Sequence, residues 1–311
     1  MVVSLALLLL GTLAAVVAPR VLSRADWRER EPVVALWVWQ CVVAAVLLSF
    51  ALSMVFSAAA TWSSVRGHVF ATAPAGVARA YALDGHRPWS AALAILLASG
   101  GLWTAAMLTR EIHRARARRR RRRRELLVRS PVLPGEEPGG DPLVVLEGNR
   151  PDAWWLPGAA PQLVITTAAL RRLKGRQLDA VLAHEQGHAR ARHDWLRHCS
   201  AALADGFPQI PVFAAFRDEI HRLVELAADD SASRRYGHRA IALALVELNE
   251  ERGVFGPAPA SDAELPHRVD RLLSPVPRLA PIRRLRLTAA AAFVPAVPLL
   301  VALVPGLRAL G

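Results

Sequence analysis

Three long apolar segments without charged side chains limit what this sequence can fold into. They cover residues 2–18, 32–60 and 89–108. Each is close to or above the roughly 20 residues that a helix needs to cross the hydrocarbon core of a bilayer. Lipid cannot satisfy backbone N–H and C=O groups, so such segments must form helices that make their own hydrogen bonds. The sequence therefore predicts three transmembrane helices within residues 1–110.

The first and last apolar segments need separate treatment. Residues 2–18 have the length of a secretory signal peptide, but no basic region precedes them and Pro19 follows directly. We therefore favour a retained span over a cleaved signal. Residues 287–311 form a fourth apolar segment, which we predict to be a last transmembrane helix. It contains Pro295, Pro298 and Pro305.

Positive charge is concentrated directly after the third apolar segment. The chain carries a net charge of +13, and Arg118–Arg124 are seven consecutive arginines. They lie in residues 111–141, which we predict to be an Arg-rich juxtamembrane segment and linker. A nucleic-acid-binding arm is one interpretation of such a run. Because it follows a span, we favour a topology anchor that contacts anionic lipid, and we do not expect nucleic-acid binding.

The distribution of arginines also predicts the orientation. A short basic loop follows the first apolar segment, whereas residues 61–88, interpreted as an exposed loop, carry few arginines for their length. The positive-inside rule then places residues 61–88 outside and everything from the arginine run to Arg286 in the cytoplasm. We expect a multi-pass protein of the cell (plasma) membrane with an external N-terminus.

Residues 142–286 combine strand and helix patterns, which predicts an α+β domain. A cap at Thr166 or Thr167 predicts a short helix that ends before Gly175. Residues 195–216 are apolar but contain Gly206, Pro208 and Pro211, so we expect them on the membrane surface or packed under the site. The predicted strands are 143–146, 153–156 and 162–165, and the later helices are 217–236, 238–252 and 265–273.

The chemistry is carried by an HExxH motif inside an apolar helical run. His184 and His188 are one helical turn apart and project from the same face. Two imidazoles so placed can share a zinc ion, and Glu185 beside them can take a proton from the attacking water. A surface helix that carries two histidines by chance is the alternative. The apolar neighbours 180–183 favour a buried site instead.

A catalytic zinc site has three protein ligands, so one more is needed. Glu225 is the best candidate, because His221, Glu225 and Asp229 share one face of an apolar helix. Asp229 can accept a hydrogen bond from the far nitrogen of a ligand histidine and fix its tautomer. A solvated acidic helix end is the alternative. His221 is a candidate for stabilising the transition state or for supporting a ligand.

Other reactive residues form no comparable pattern. We expect His193 and His198 to be structural or exposed, because they lie beyond the useful turns of the His184 helix. Cys41 and Cys199 are far apart and predict neither a disulfide framework nor a cysteine-type zinc site. The sequence shows no Ser/His/Asp or Cys/His scheme and no Gly-rich phosphate loop.

The motifs resemble those of integral-membrane zinc peptidases in which HExxH is followed by ExxxD. These include the BlaR/MecR antibiotic-sensor type and the related HtpX and CAAX-prenyl-protease type. Residues 153–158, which read AWWLPG, and 164–170 resemble the strand and turn before the metal helix in both groups. Residues 184–194, HEQGHARARHD, and the three-span, domain, one-span layout are closer to the BlaR/MecR type.

The resemblance covers about residues 142–252 and the surrounding spans, and it implies a zinc site. His184, His188 and Glu225 would bind Zn²⁺. Glu185 would be the base, and Asp229 would support a ligand histidine. The antibiotic sensors carry an extracellular penicillin-binding domain after their last span. This sequence ends at Gly311, after its fourth apolar segment, so the resemblance supports the peptidase module and leaves antibiotic sensing open.

Together these observations predict an α-helical membrane protein with a cytoplasmic α+β zincin (gluzincin-like) domain at residues 142–286 and a last span at 287–311. We expect an endopeptidase that cleaves cytoplasmic or membrane-adjacent proteins, in regulated proteolysis or signalling, with the peptide extended near Trp154 and Trp155. The alternatives are a non-hydrolytic scaffold that retains the zinc fold and an HtpX-like quality-control protease. The sequence carries no signal for substrate or oligomeric state.

Overall fold

Helices dominate the computed structural model, which describes residues 2–81, 88–129, 143–156, 162–249, 264–274 and 276–310. The described helices are α1 (Val2–Ser23), α2 (Trp27–Arg30), α3 (Pro32–Thr61), α4 (Ser63–Val69), α5 (Ala75–Ala80), α6 (Pro88–Arg129), α7 (Thr167–Arg172), α8 (Arg176–Arg190), α9 (His193–Gly206), α10 (Pro211–Tyr236), α11 (His238–Asn249), α12 (Glu264–Leu273), α13 (Pro281–Phe293) and α14 (Ala296–Arg308). The described strands are β1 (Leu143–Leu146), β2 (Ala153–Leu156) and β3 (Gln162–Thr166). The chain divides into two units: residues 1–109, 200–219 and 279–311 form unit 1, and residues 110–199 and 220–278 form unit 2.

The three predicted spans lie in the three longest apolar helices. Val2–Ser23, Pro32–Thr61 and Trp89–Arg118 are each long and apolar enough to cross a membrane. Helix α6 continues beyond its apolar part to Arg129, where the sequence predicted a juxtamembrane segment and linker. Arginine is a good helix former, so the basic run can extend the helix. Residues 130–142 of the predicted linker lie outside the described residues.

Two segments differ from their sequence-based interpretation. The predicted loop at 61–88 contains the short helices α4 and α5, with residues 82–87 outside the described part. The fourth apolar segment forms α13 and α14, bent by 48° at a short break. Pro295 lies at this break, where it lacks the N–H that would continue the helix. The pair is either a broken span or a re-entrant loop.

The core of unit 1 is formed by close packing of α1, α3, α5 and α14. Leu7, Phe56 and Tyr81 are buried in one apolar cluster, and Tyr81 donates a hydrogen bond to the carbonyl of Ala302 at 2.9 Å. Helices α1 and α3 approach closely at Gly11, because a Cβ there would lie 3.0 Å from Ser49 Cβ. Small residues at such contacts allow helix backbones to pack tightly in a membrane.

The apolar stretch at 195–216 forms most of α9, a short break and the start of α10. Pro211 begins α10, a position where a missing N–H removes no helical hydrogen bond. Val212, Phe213 and Phe216 are buried, and the Phe216 ring lies 6.3 Å from the Trp39 ring within unit 1. Packing against a span therefore describes this stretch better than a free position on the membrane surface.

The sheet of unit 2 has the strand order β1-β3-β2, and the three predicted strands are confirmed. Strand β1 is parallel to β3, and β2 is antiparallel to it. Leu146, Trp154 and Val164 pack on one face. The hydroxyl of Thr166 caps α7 by accepting from the N–H of Ala169, as the sequence predicted.

Helices cover the other face of the sheet and carry the motifs. Ile165 and Val181 share an apolar cluster, which places α8 against the sheet. A second cluster, of Ala180, Ala232, Ile241, Ala242, Leu245 and Leu272, joins α8, α10, α11 and α12. Helix α11 was predicted to reach residue 252 and is described as far as Asn249. This packing brings the HExxH helix and the helix of Glu225 side by side.

Candidate metal centre

The HExxH helix and α10 bring three potential ligand atoms together. Nε2 of His184 lies 3.1 Å from Nε2 of His188. The carboxylate of Glu225 faces both nitrogens, with Oε2 at 3.5 Å from Nε2 of His184 and Oε1 at 3.5 Å from Nε2 of His188. Two ligands of a tetrahedral zinc ion, each about 2.05 Å away, are about 3.3 Å apart. The donor set and its spacing therefore fit zinc.

Close backbone contact between the two helices explains this geometry. Gly187, inside the HExxH motif, would place a Cβ 3.5 Å from the Cα of Ala228 and 3.5 Å from the Cβ of Ser231. Ala228 lies one turn after Glu225 on α10. A bulky side chain at position 187 would hold the helices apart, whereas glycine lets the carboxylate reach both imidazoles.

Glu185 points into the same cavity and is held by the sheet. Its Oε2 accepts a hydrogen bond of 3.1 Å from the backbone N–H of Trp155 in β2. Strand β2 lies at one edge of the described sheet, so this N–H points away from β3. Burial raises the pKa of Glu185 to about 7. A carboxylate with a pKa near neutrality is suited to both accept and return a proton.

Asp229, the candidate partner of a ligand histidine, lies next to His184. Its Oδ1 is 3.0 Å from Nδ1 of His184, although the ring N–H is not aligned for a linear hydrogen bond. Asp229 is 0% exposed. Burial opposes its ionisation, but Arg268 outweighs this effect and lowers the pKa of Asp229 to about 2. Burial alone would lower the pKa of His184, and the carboxylates of Asp229 and Glu225 raise it instead.

His193 belongs to the site, contrary to the expectation that it is merely structural or exposed. Its side chain is buried, and its Nδ1 lies 2.8 Å from Nδ1 of His188. The chain turns at Arg192, which has a φ of 52°, and this turn brings the start of α9 back to the end of α8. Burial, together with the charge of Arg197, lowers the pKa of His193 to about 4.

Two arginines that the sequence reasoning missed contact Glu225. Arg197 donates to Oε1, and Arg268 lies 2.9 Å from Oε2. Burial opposes ionisation of Glu225, but Arg268, and next His188, outweigh it and hold its pKa well below the ordinary range. No local pattern marks these arginines in so Arg-rich a chain, because tertiary packing alone brings α9 and α12 to Glu225.

His221 and His198 have a different environment. His221 is exposed on α10 one turn before Glu225, and neither histidine lines the described cavity around the site. The predicted role of His221 in the transition state therefore stays a prediction. Arg192 and Arg197 are cationic side chains that do line this cavity.

The cavity beside the site has a volume of about 390 Å³ and a mixed lining. Its polar residues include Glu225, His184 and Glu185. Its apolar residues include Val181, Ile241, Leu245 and Leu248. Trp155 and Trp195 also line it. Such a cavity can take an apolar side chain next to a polarised amide.

One comparison with known proteins supports a class of protein. The family model of Peptidase family M48 matches residues 114–215, about a third of the chain. This match includes HExxH and supports an M48-type metallopeptidase. It ends before Glu225, so the choice of Glu225 as a candidate third ligand rests on the geometry. No curated protein and no solved structure matches the chain.

Proposed function

We propose that this chain is a multi-pass zinc-dependent endopeptidase of the plasma membrane. The observation that carries the proposal is the placement of the ligand atoms of His184, His188 and Glu225 within 4.8 Å of one another. In the same cavity, the backbone of Trp155 holds the carboxylate of Glu185. Held by these three residues, a zinc ion would supply the Lewis acid for amide hydrolysis.

The side chains of the site perform the remaining steps of amide hydrolysis. Glu185 accepts a proton from the attacking water and passes it to the leaving amine. Asp229 holds the ring of His184. The apolar residues that line the cavity bind a side chain of the substrate next to the scissile bond. The peptide lies extended beside β2, near Trp154 and Trp155, since an edge strand offers backbone hydrogen-bonding groups.

The proposed location of the metal site in the cytoplasm follows from the distribution of arginines along the chain. The positive-inside rule places the catalytic unit in the cytoplasm, with anionic lipid as the partner of the basic run at 118–124. The substrates are then cytoplasmic or membrane-adjacent proteins cleaved in regulated proteolysis or signalling, which is the role that the BlaR/MecR resemblance suggests. Quality control of the HtpX type is the alternative for the same chemistry.

The test uses the full chain in detergent with β-casein as an unfolded substrate. We expect cleavage that 1,10-phenanthroline abolishes and added zinc restores. Glu185→Gln should abolish cleavage, whereas Asp179→Asn, a matched acid-to-amide change on the exposed face of α8, should leave it intact. Zinc binding without any cleavage of casein, and without any fragments specific to the wild-type chain in the proteome of expressing cells, would instead indicate a scaffold.

A further inference from the structure

One guanidinium contacts two carboxylates of the site. Nε of Arg268 donates to Oδ2 of Asp229 at 2.8 Å, and Nη2 donates to Oδ1 at 2.7 Å. Its third nitrogen, Nη1, lies 2.9 Å from Oε2 of Glu225. The Arg268 residue is 6% exposed. All three of its nitrogens therefore face carboxylate oxygens in a buried environment.

These contacts fix the orientation of both carboxylates relative to the histidine nitrogens. The fork fixes the plane of Asp229 and leaves Oδ1 also 3.0 Å from Nδ1 of His184. Glu225 is held from two sides, since Arg197 binds its Oε1 and Arg268 its Oε2. Each carboxylate oxygen has two lone pairs. When arginine occupies one lone pair, the second lone pair of the same oxygen remains available on the side of the histidine nitrogens.

We propose that Arg268 is a positioning residue of the zinc site, which sets the orientation of Asp229 behind His184 and of Glu225 as the third ligand. This inference rests on the proposed function, because it presupposes that zinc binds between the two histidines and Glu225. A planar guanidinium suits the task, since its donors lie in a rigid fork. The lysine ammonium has the same charge but a single nitrogen, so it cannot maintain three separate contacts.

A neighbouring ion pair provides a matched control. Arg271 lies one turn further along α12 and contacts Asp230, the residue after Asp229, at 2.8 Å. Arg278 contacts the other oxygen of Asp230 at 3.0 Å. Arg271 thus fastens α12 to α10 in the same manner as Arg268. Arg271 does not line the cavity, and its partner Asp230 is not one of the three candidate zinc ligands.

The experiment measures zinc affinity directly. The full chain in detergent is titrated with zinc against a chromophoric chelator, and thermal unfolding of the chelator-stripped protein is recorded in parallel. Replacing a partner of a ligand typically lowers metal affinity roughly 10–100-fold, which we expect for Arg268→Lys and Arg268→Gln. Arg271→Gln should change the affinity less than about threefold, as expected for an ion pair that does not contact a ligand.

The outcomes separate the explanations. If Arg268→Lys binds zinc like the wild type, charge alone is sufficient and the inference is overturned. If Arg268→Gln and Arg271→Gln lose affinity equally, Arg268 only fastens helices and the inference is also overturned. Asp229→Asn is a second test: its loss should not add to that of Arg268→Lys, because both disrupt one fork. A wild-type chain that binds no zinc would refute the proposed function together with this inference.

Discussion

Nδ1 of His193 lies 2.8 Å from Nδ1 of His188, whereas the other ring nitrogen of His188, Nε2, faces Glu225. Two nitrogens at this distance share one proton. A ligand that binds zinc through Nε2 carries its proton on Nδ1, so His188 donates and His193 accepts. The pKa of His193 is lowered to about 4, which keeps the acceptor neutral at physiological pH.

Removal of this acceptor should weaken the site without removing a ligand. We expect His193→Ala to lower zinc affinity by roughly tenfold, the low end for a partner of a ligand histidine. The chelator titration described for Arg268 measures it. His198→Ala is the control, since it makes the same change on the same helix at a histidine that is only partly buried. Equal zinc affinity in wild type and His193→Ala would show that His188 needs no such partner.

The metal content of variants tests the third ligand. Glu225→Ala removes a carboxylate whose two oxygens lie 3.5 Å from Nε2 of His184 and of His188, so we expect the purified protein to lose its zinc. Glu185→Gln should retain about one zinc per chain, because Glu185 acts on the proton rather than on the metal. Elemental analysis of both proteins, prepared side by side, measures this. Full zinc occupancy in Glu225→Ala would show that another residue is the third ligand.

Glycine at position 187 should be replaceable only by a small residue. An added Cβ meets Ala228 and Ser231 at 3.5 Å, which is an ordinary contact distance, and alanine favours a helix over glycine by about 1 kcal/mol. We therefore expect Gly187→Ala to bind zinc normally and to unfold at an equal or higher temperature. Gly187→Leu should separate α8 from α10 and lose zinc. Retention of zinc in Gly187→Leu would mean that the helix contact does not set the ligand distances.

The helices and strands of unit 2 that carry the site could be predicted from sequence, because the patterns that indicate them lie within each segment. Alternation and turn residues identified β1 to β3, and the Thr166 cap identified α7. Helical spacing placed His184 and His188, and separately Glu225 and Asp229, on common faces. The prediction that these two faces meet came from coordination chemistry, because a catalytic zinc ion needs a third protein ligand.

The residues that surround the ligands could not be predicted in this way. Arg268 follows Asp229 by 39 residues on another helix, and nothing local distinguishes it from other arginines. His193 reaches His188 only because the chain turns at Arg192, in a backbone conformation that non-glycine residues seldom adopt. Interaction partners set by tertiary packing have no periodicity in the sequence. The same limit applies to α4 and α5, helices too short to produce a clear pattern.

The orientation of the chain in the membrane is a further prediction. After both native cysteines are replaced by serine, a single cysteine at Gly67 should react with an impermeant maleimide added to intact cells. A single cysteine at Lys174 should react only after permeabilisation, because the basic run before it favours the cytoplasm. Gly67 is suitable because an added Cβ meets no described atom within 4 Å. The reverse labelling pattern would invert the proposed topology.

The last prediction concerns the effect of buried residues of unit 1 on the metal site. Helix α10 runs without a break from Pro211 to Tyr236, so the segment that carries Phe213 and Phe216 also carries Glu225. Both phenylalanines are buried in unit 1, where Phe216 packs near Trp39. Replacing a buried phenylalanine by a small residue costs about 3–5 kcal/mol, and serine adds an unsatisfied hydroxyl.

We therefore expect Phe213→Ser with Phe216→Ser to lower zinc retention and casein cleavage together, although neither residue is a ligand. Arg217→Gln is the control, since Arg217 lies on the same helix with a partly exposed side chain that contacts Asp205 and Asp218. A fragment covering residues 141–286 lacks Trp39 and would expose this apolar surface, so it should aggregate or lose zinc. If that fragment were soluble and as active on casein as the full chain, packing in unit 1 would be irrelevant to the site.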